Sequence, residues 1–142
     1  MKYPHRLSDA VHILSYIEIF KDENPSSAIM AASMESNPSL VRRIMSQLSN
    51  ADLLITSPGK VSPKLSRQPS DISLLDIYRA VDESGSLLHV DEDTNPNCLV
   101  GANIQDVLES KYAQVQAASE REMSLISLDD IISGIRVNKS NV

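Results

Sequence analysis

Cysteine occurs once in these 142 residues, phenylalanine once and tryptophan not at all. A single thiol excludes an internal disulfide and fits a reducing compartment. With so few aromatic rings, the core has to be aliphatic, built from Ile, Leu, Val and Met. No apolar run approaches the length needed to span a bilayer. The opening "MKYPHRLSDAVHIL" reaches polar residues too soon for a secretory signal. These absences lead us to expect a soluble, cytoplasmic protein. Ser/His/Asp, phosphate-loop and zinc-protease patterns are missing as well, so an enzyme is the least supported class. The pair Asp129-Asp130 has an ordinary explanation, acids complementing the dipole at a helix start.

The chain is long enough for one domain with a real core, and its 42% hydrophobic content argues against wholesale disorder. Its formal net charge is -6. The distribution says more than the sum. Residues 1–70 carry 8 Lys+Arg against 6 Asp+Glu, whereas residues 71–142 carry 5 against 13. Between residues 36 and 70, Arg42, Arg43, Lys60, Lys64 and Arg67 stand against Asp52 alone. A basic segment is set inside an acidic body, which is the charge footprint of a nucleic-acid contact.

Local signals give the order of elements. "LSDAVHILSYIEIF" has Ser8 as an N-cap and a wide apolar face of Ala10, Val11, Ile13, Leu14, Ile17 and Phe20. Ser26 caps a short second helix. Asn37 caps a third, with Pro38 at its first position, where no backbone donor is needed. That helix runs to about Asn50. "LLITS" and the alternation of Val61 and Leu65 predict two short strands around a turn. Ser73 with Asp76 has capping-box spacing, Ile72 with Ile77 has hydrophobic-staple spacing, and Gly85 is a terminator. From Leu99 to Met123 one long helix carries Ile104, Leu108, Tyr112, Val115 and Ala118 on a continuous stripe. "ISLDDIISGI" then repeats the start signal, with Ser127 and Asp130, Ile126 and Ile131, and Gly134 as a stop. The tail after it is expected to fray.

The fold class is therefore mainly α (α+β), with three helices and a β-hairpin in the winged helix-turn-helix order. Residues 1–85 form the DNA-binding unit, 86–98 a sensing or connecting loop, and 99–142 the long helix with a short C-terminal one. The long stripe is more than so small a domain can bury, which points to a partner helix from a second copy.

On the third helix, Val41, Ile44, Met45 and Leu48 fall on one face. Ser39, Arg43, Ser46 and Asn50 fall opposite, flanked by Arg42 and Gln47. Every outward position is small, polar or cationic. A helix of this kind can enter the major groove, where arginine bonds bidentately to guanine and Ser, Gln and Asn suit phosphates or other bases. Lys60 and Lys64 in the wing, and Arg67 after it, would add phosphate contacts.

"NPSLVRRIMSQLSNADLL", a wing, "DISLLDIYRAV" and "NPNCLVGANIQ" together resemble the Rrf-two family of bacterial winged-helix regulators, in particular its YwnA-like branch, over nearly the whole chain. The resemblance implies a homodimer, joined by the long helix, that binds palindromic DNA operators through two recognition helices and wings, usually as a repressor. We expect an inducing event in the loop around residues 86–101, or between it and the DNA-binding unit, to change the spacing of the two recognition helices. It places Ser39, Leu40, Arg42 and Arg43 at the base-facing start of the recognition helix, and Lys60 and Lys64 in the wing. Ser46 and Gln47 join the DNA-binding set from the helical wheel. Ile104, Leu108, Tyr112 and Val115 are the dimerisation positions. Two departures stand out. Many members have a Gly-Gly-Tyr wing, and here it reads "SPGKVSPKL". Members with an iron–sulfur cluster supply three clustered cysteines, and this chain has only Cys98.

No cofactor and no metal are therefore expected. His89 lies nine residues before Cys98, a spacing without a metal signature, and His5 and His12 belong to the first helix. Cys98, at the start of the long helix, is a candidate redox or electrophile sensor, because the helix dipole lowers a thiol's pKa. Its other reading is a small buried core residue. The rival function is a winged-helix interaction module that recruits a protein and binds DNA weakly or not at all.

Overall fold

The computed structural model describes residues 5–56 and 62–137. The element order is α1 (Arg6–Ile19), α2 (Ser27–Ser33), α3 (Pro38–Asn50), β1 (Leu54–Ile55), β2 (Lys64–Leu65), α4 (Leu74–Val81), α5 (Leu99–Ser124) and α6 (Leu128–Val137), with single 3-10 turns at Lys21–Glu23 and Pro69–Asp71. The winged helix-turn-helix order read from the sequence is the order observed.

Most starts are where the caps place them. The Ser26 hydroxyl accepts from the Ile29 N–H at 3.2 Å, and the Asn37 side chain accepts from the Leu40 N–H at 2.9 Å. Ser73 and Asp76 form a reciprocal capping box, with both hydrogen bonds near 3 Å. Ser127 and Asp130 do the same at α6. β1 and β2 are antiparallel, with Leu54 opposite Leu65 and Ile55 opposite Lys64. Lys60 and Val61, expected in and beside the wing, lie outside the described residues.

Three boundaries differ from expectation. α1 starts at Arg6 with His5 as N-cap, three residues before the position that a Ser8 cap implies. Tertiary contacts draw the start outward: Leu7 packs on the core and Arg6 bonds to α3. α4 ends at Val81, before Gly85, because Asp82 turns extended and Gly85 (φ 74°) serves the loop that follows. Gly134 does not stop α6, which continues to Val137. Phe20, expected on the apolar face of α1, is exposed at its C-cap and packs on Tyr16, with ring centroids 4.6 Å apart.

The core joins Ala10, Ile13, Leu14 and Ile17 of α1 to Val41, Ile44 and Leu48 of α3, Ile72 and Ile77 at α4, and Leu128 and Ile132 of α6. α6 thus returns to close the helix-turn-helix core, although the chain reaches it only after the long helix. α5 is different. None of its 26 residues is buried, and Val100, Val107 and Val115 are exposed.

Candidate nucleic-acid interface

The amphipathic split of α3 fixes what it can offer outward. Val41, Ile44 and Leu48 are fully buried, and Met45 packs beside them. Ser39, Arg42, Arg43 and Ser46 are exposed on the other side. Arg42 donates to the Ser39 hydroxyl at 3.3 Å, so the first turn presents a hydroxyl and a guanidinium as one unit. No acidic residue lies anywhere in the helix. Five N–H donors on each guanidinium and no competing carboxylate on this face suit it to an anionic, acceptor-rich surface.

The other expected positions are placed as follows. Leu40 is half-buried and packs on the core. Gln47 is already engaged: its carbonyl oxygen accepts from Arg6 at 2.8 Å and its amide donates to Glu83 at 3.4 Å. Lys64 is exposed on β2, opposite Ile55 of β1. Arg67 is occupied within the chain, donating to the Asp71 carbonyl and pairing with Asp76 at 3.4 Å. Ile104, Leu108 and Tyr112 are half-buried on α5, and Val115 is exposed.

Residues 82–98 are laid along α5 by two glutamines that the sequence did not single out. Gln105 donates to the carbonyls of Asp91 and Glu92 at 3.0 and 2.7 Å. Gln116 accepts from the Leu87 N–H at 2.9 Å and donates to the Tyr78 hydroxyl at 3.2 Å. A cleft of about 600 Å³ remains between this segment and α5, lined by His89, Glu92, Asp106, Glu109 and Tyr112 among others. At the segment's end, Gly101 packs so closely on the Asn95 backbone that a Cβ would collide with it. That contact was legible only as "NPNCLVG", a turn signal followed by glycine.

Cys98 is the N-cap residue of α5 and is exposed, which overturns its reading as a buried core residue. The backbone N–H groups of Gly101 and then Val100 lower its pKa from the ordinary thiol value, against a small opposing effect of desolvation. His5 is the N-cap residue of α1, without a side-chain capping bond, His12 shares a 2.8 Å hydrogen bond with the Ser33 hydroxyl, and His89 lines the cleft along α5.

A recognition-type helix, a hairpin behind it and a long helix after it are together enough to ask which known proteins share them. The family model of the Rrf2 "Iron-dependent Transcriptional regulator" matches residues 3–134. The chain belongs to the Rrf2 (Rrf-two) family. It is 44% identical over 128 residues to the Bacillus subtilis protein named "Putative HTH-type transcriptional regulator YwnA", covering 90% of this chain and 95% of that one. A crystal structure of a protein described as a "putative DNA binding protein" superposes with a TM-score of 0.72 at 42% identity, over 89% of this chain and 98% of that one. CymR, described as the global cysteine regulator of B. subtilis, shares the fold with a TM-score of 0.66 at 20% identity, over 94% and 97%. The Rrf2 relatives are transcriptional regulators and not enzymes.

The iron in the family's description meets a poor donor set here. A cluster held in the three-cysteine manner needs three thiolates, and Cys98 is the only cysteine in the chain. Among the described residues, no three His, Cys, Asp or Glu side chains converge on one point. The residues of this Rrf2 chain do not fit such a cluster.

No helix among the described residues is long and apolar enough to cross a membrane.

Proposed function

We propose that the chain is a cytoplasmic, homodimeric repressor that binds a DNA operator through α3 of each copy. The observation that carries this reading is the outward face of α3, where Ser39, Arg42, Arg43 and Ser46 are all exposed and no acid interrupts them. In the operator complex Ser39, Arg42 and Arg43 read base edges, Leu40 makes apolar contact at the start of the helix, and Ser46 and Gln47 lie toward the phosphates. Lys60 and Lys64 bind the backbone from the wing.

The dimer is supported by α5, a 26-residue helix without a buried residue. Two copies packed along Ile104, Leu108, Tyr112 and Val115 would cover its apolar side and set the half-sites about one helical turn, or a multiple of it, apart. Regulation works without a metal cluster. Oxidation or electrophile attack at Cys98 alters the connection at residues 86–98 and with it the spacing of the two recognition helices.

The test is retention on bulk duplex DNA at rising salt, for the wild-type chain and for Arg42→Ala/Arg43→Ala. Wild-type retention should fall steeply with salt, and the double variant should elute early. A wild-type chain with no salt-sensitive retention would overturn this reading and leave the protein-interaction module in its place.

A further inference from the structure

Arg6, Gln47 and Glu83 form a closed ring that joins three elements. Arg6 donates to the Gln47 carbonyl oxygen at 2.8 Å, Gln47 donates to Glu83 at 3.4 Å, and Arg6 pairs with Glu83 at 3.6 Å. Arg6 opens α1, Gln47 is in α3, and Glu83 stands two residues beyond the end of α4. Gln47 is one turn after Arg43, at the edge of the outward face of α3. The Arg6 guanidinium bound to it therefore lies at the rim of that face. When a recognition helix enters the major groove, the groups at its rim meet the sugar–phosphate backbone.

We propose that Arg6 is a further phosphate-contacting residue of this face, held in reserve by Glu83. The inference rests on the DNA-binding reading of α3. A carboxylate and a phosphate offer a guanidinium the same pair of acceptor oxygens, so Glu83 occupies the place a phosphate would take. The latch is weak by construction. Glu83 is 69% exposed and the pair is long, so a phosphate, or a shift of the connection that carries Glu83, can displace it. Arg6 is only 24% exposed and keeps its bond to Gln47, so its guanidinium stays aimed at the rim when the carboxylate leaves. The segment that leads toward Cys98 and α5 thus begins with a residue that touches the DNA-binding face. Movement there changes the number of cations offered to the backbone.

The experiment measures affinity of the full chain for a random-sequence duplex pool across a potassium chloride series, for wild type, Glu83→Gln, Arg6→Ala and the double variant. Glu83→Gln should bind about two- to five-fold more tightly per half-site. Its log–log salt slope should steepen by about one per half-site, for one added phosphate contact. Both gains should vanish in the double variant, and Arg6→Ala alone should bind more weakly than wild type with a shallower slope, because a phosphate displaces Glu83 in part of the wild-type complexes. If Arg6→Ala fails to fold, Arg6→Met keeps the aliphatic stem and serves in its place. A Glu83→Gln variant that matches wild type overturns the proposal. So does a gain that persists without Arg6, which would be the general effect of losing a negative charge. Wild type with no salt-dependent binding overturns the DNA reading itself, and this inference with it.

Discussion

Ser73 and Ser127 face each other across an isolated antiparallel bridge, and each is the N-cap of a helix. The Leu74 N–H donates to the Ile126 carbonyl and the Leu128 N–H to the Ile72 carbonyl, both at 2.8 Å. Two capping boxes 54 positions apart in the chain thus share one short ladder, and the apolar residues beside them, Ile72 and Leu128, are fully buried. The bridge fastens the far end of α5 to the core that carries α3. The near end is fastened by Gly101 against Asn95. A long helix without a fully buried residue is therefore held at both ends.

Removing either cap should cost about 1 kcal/mol, the usual value for a lost Ser N-cap. Ser73→Ala and Ser127→Ala each shift the urea midpoint down. Because the two caps share backbone bonds, the double variant should depart from additivity by at least about 0.5 kcal/mol. Strict additivity in the double-mutant cycle would mean that the bridge does not couple the helices.

Asp82 gives the stability a pH dependence. Burial by itself raises its carboxyl, but the neighbouring Tyr78 hydroxyl, the Ser84 side chain and the backbone N–H groups of Ser84 and Gly85 outweigh it and lower the pKa. The folded value lies below the unfolded one. The stabilisation is present in full above the ordinary carboxylate range and is lost as pH falls through the depressed value. Asp82→Asn should therefore be less stable than wild type at neutral pH, and the two melting temperatures should converge in acid. A gap that is the same at both ends of the range would exclude this carboxylate as its source.

How much of this could be read from the sequence follows from how local each cause is. The caps at Ser26, Asn37, Ser73 and Ser127 are satisfied within three residues, so all four helix starts were legible, and so was the buried stripe of α3. The pairing of two of those starts was not, since nothing in "ISLLD" and "ISLDD" says that they meet. Gln47 looked available for DNA on a helical wheel. What occupies it is an arginine 41 residues earlier. Gly85 and Gly134 misled for a related reason: glycine permits a helix to stop without requiring it, and α6 runs past Gly134 to Val137. Family membership and the candidate face came through because both rest on short, contiguous runs.

The reactivity of Cys98 should depend on a glycine three residues away. The Gly101 N–H is the largest cause of its lowered pKa, and a side chain at 101 would collide with the Asn95 backbone. Gly101→Ala must shift that turn, which pulls the N–H from the sulfur. At neutral pH wild type should react with iodoacetamide faster than an unstructured thiol, by less than its larger thiolate fraction alone would give, and Gly101→Ala more slowly than wild type. Equal rates in the two proteins would show that the helix start does not set the thiol's reactivity.

The apolar side of α5 makes the sharpest demand on assembly. Val100 and Val107 are one heptad apart and Val115 follows, at 64%, 54% and 46% exposure. Left in water, they forgo about 25 cal/mol for every Å² of apolar surface that a partner could cover. Light scattering at micromolar concentration should give twice the chain mass for wild type and the single-chain mass for Val107→Glu. Glutamate is a good helix former and Val107 supports no core contact, so the circular dichroism spectrum of the variant should still show the helices. DNA affinity should fall with the mass, since one recognition helix then binds without its twin. A Val107→Glu protein that keeps the dimer mass would take Val107 out of the interface and confine it to Ile104, Leu108, Tyr112 and Val115.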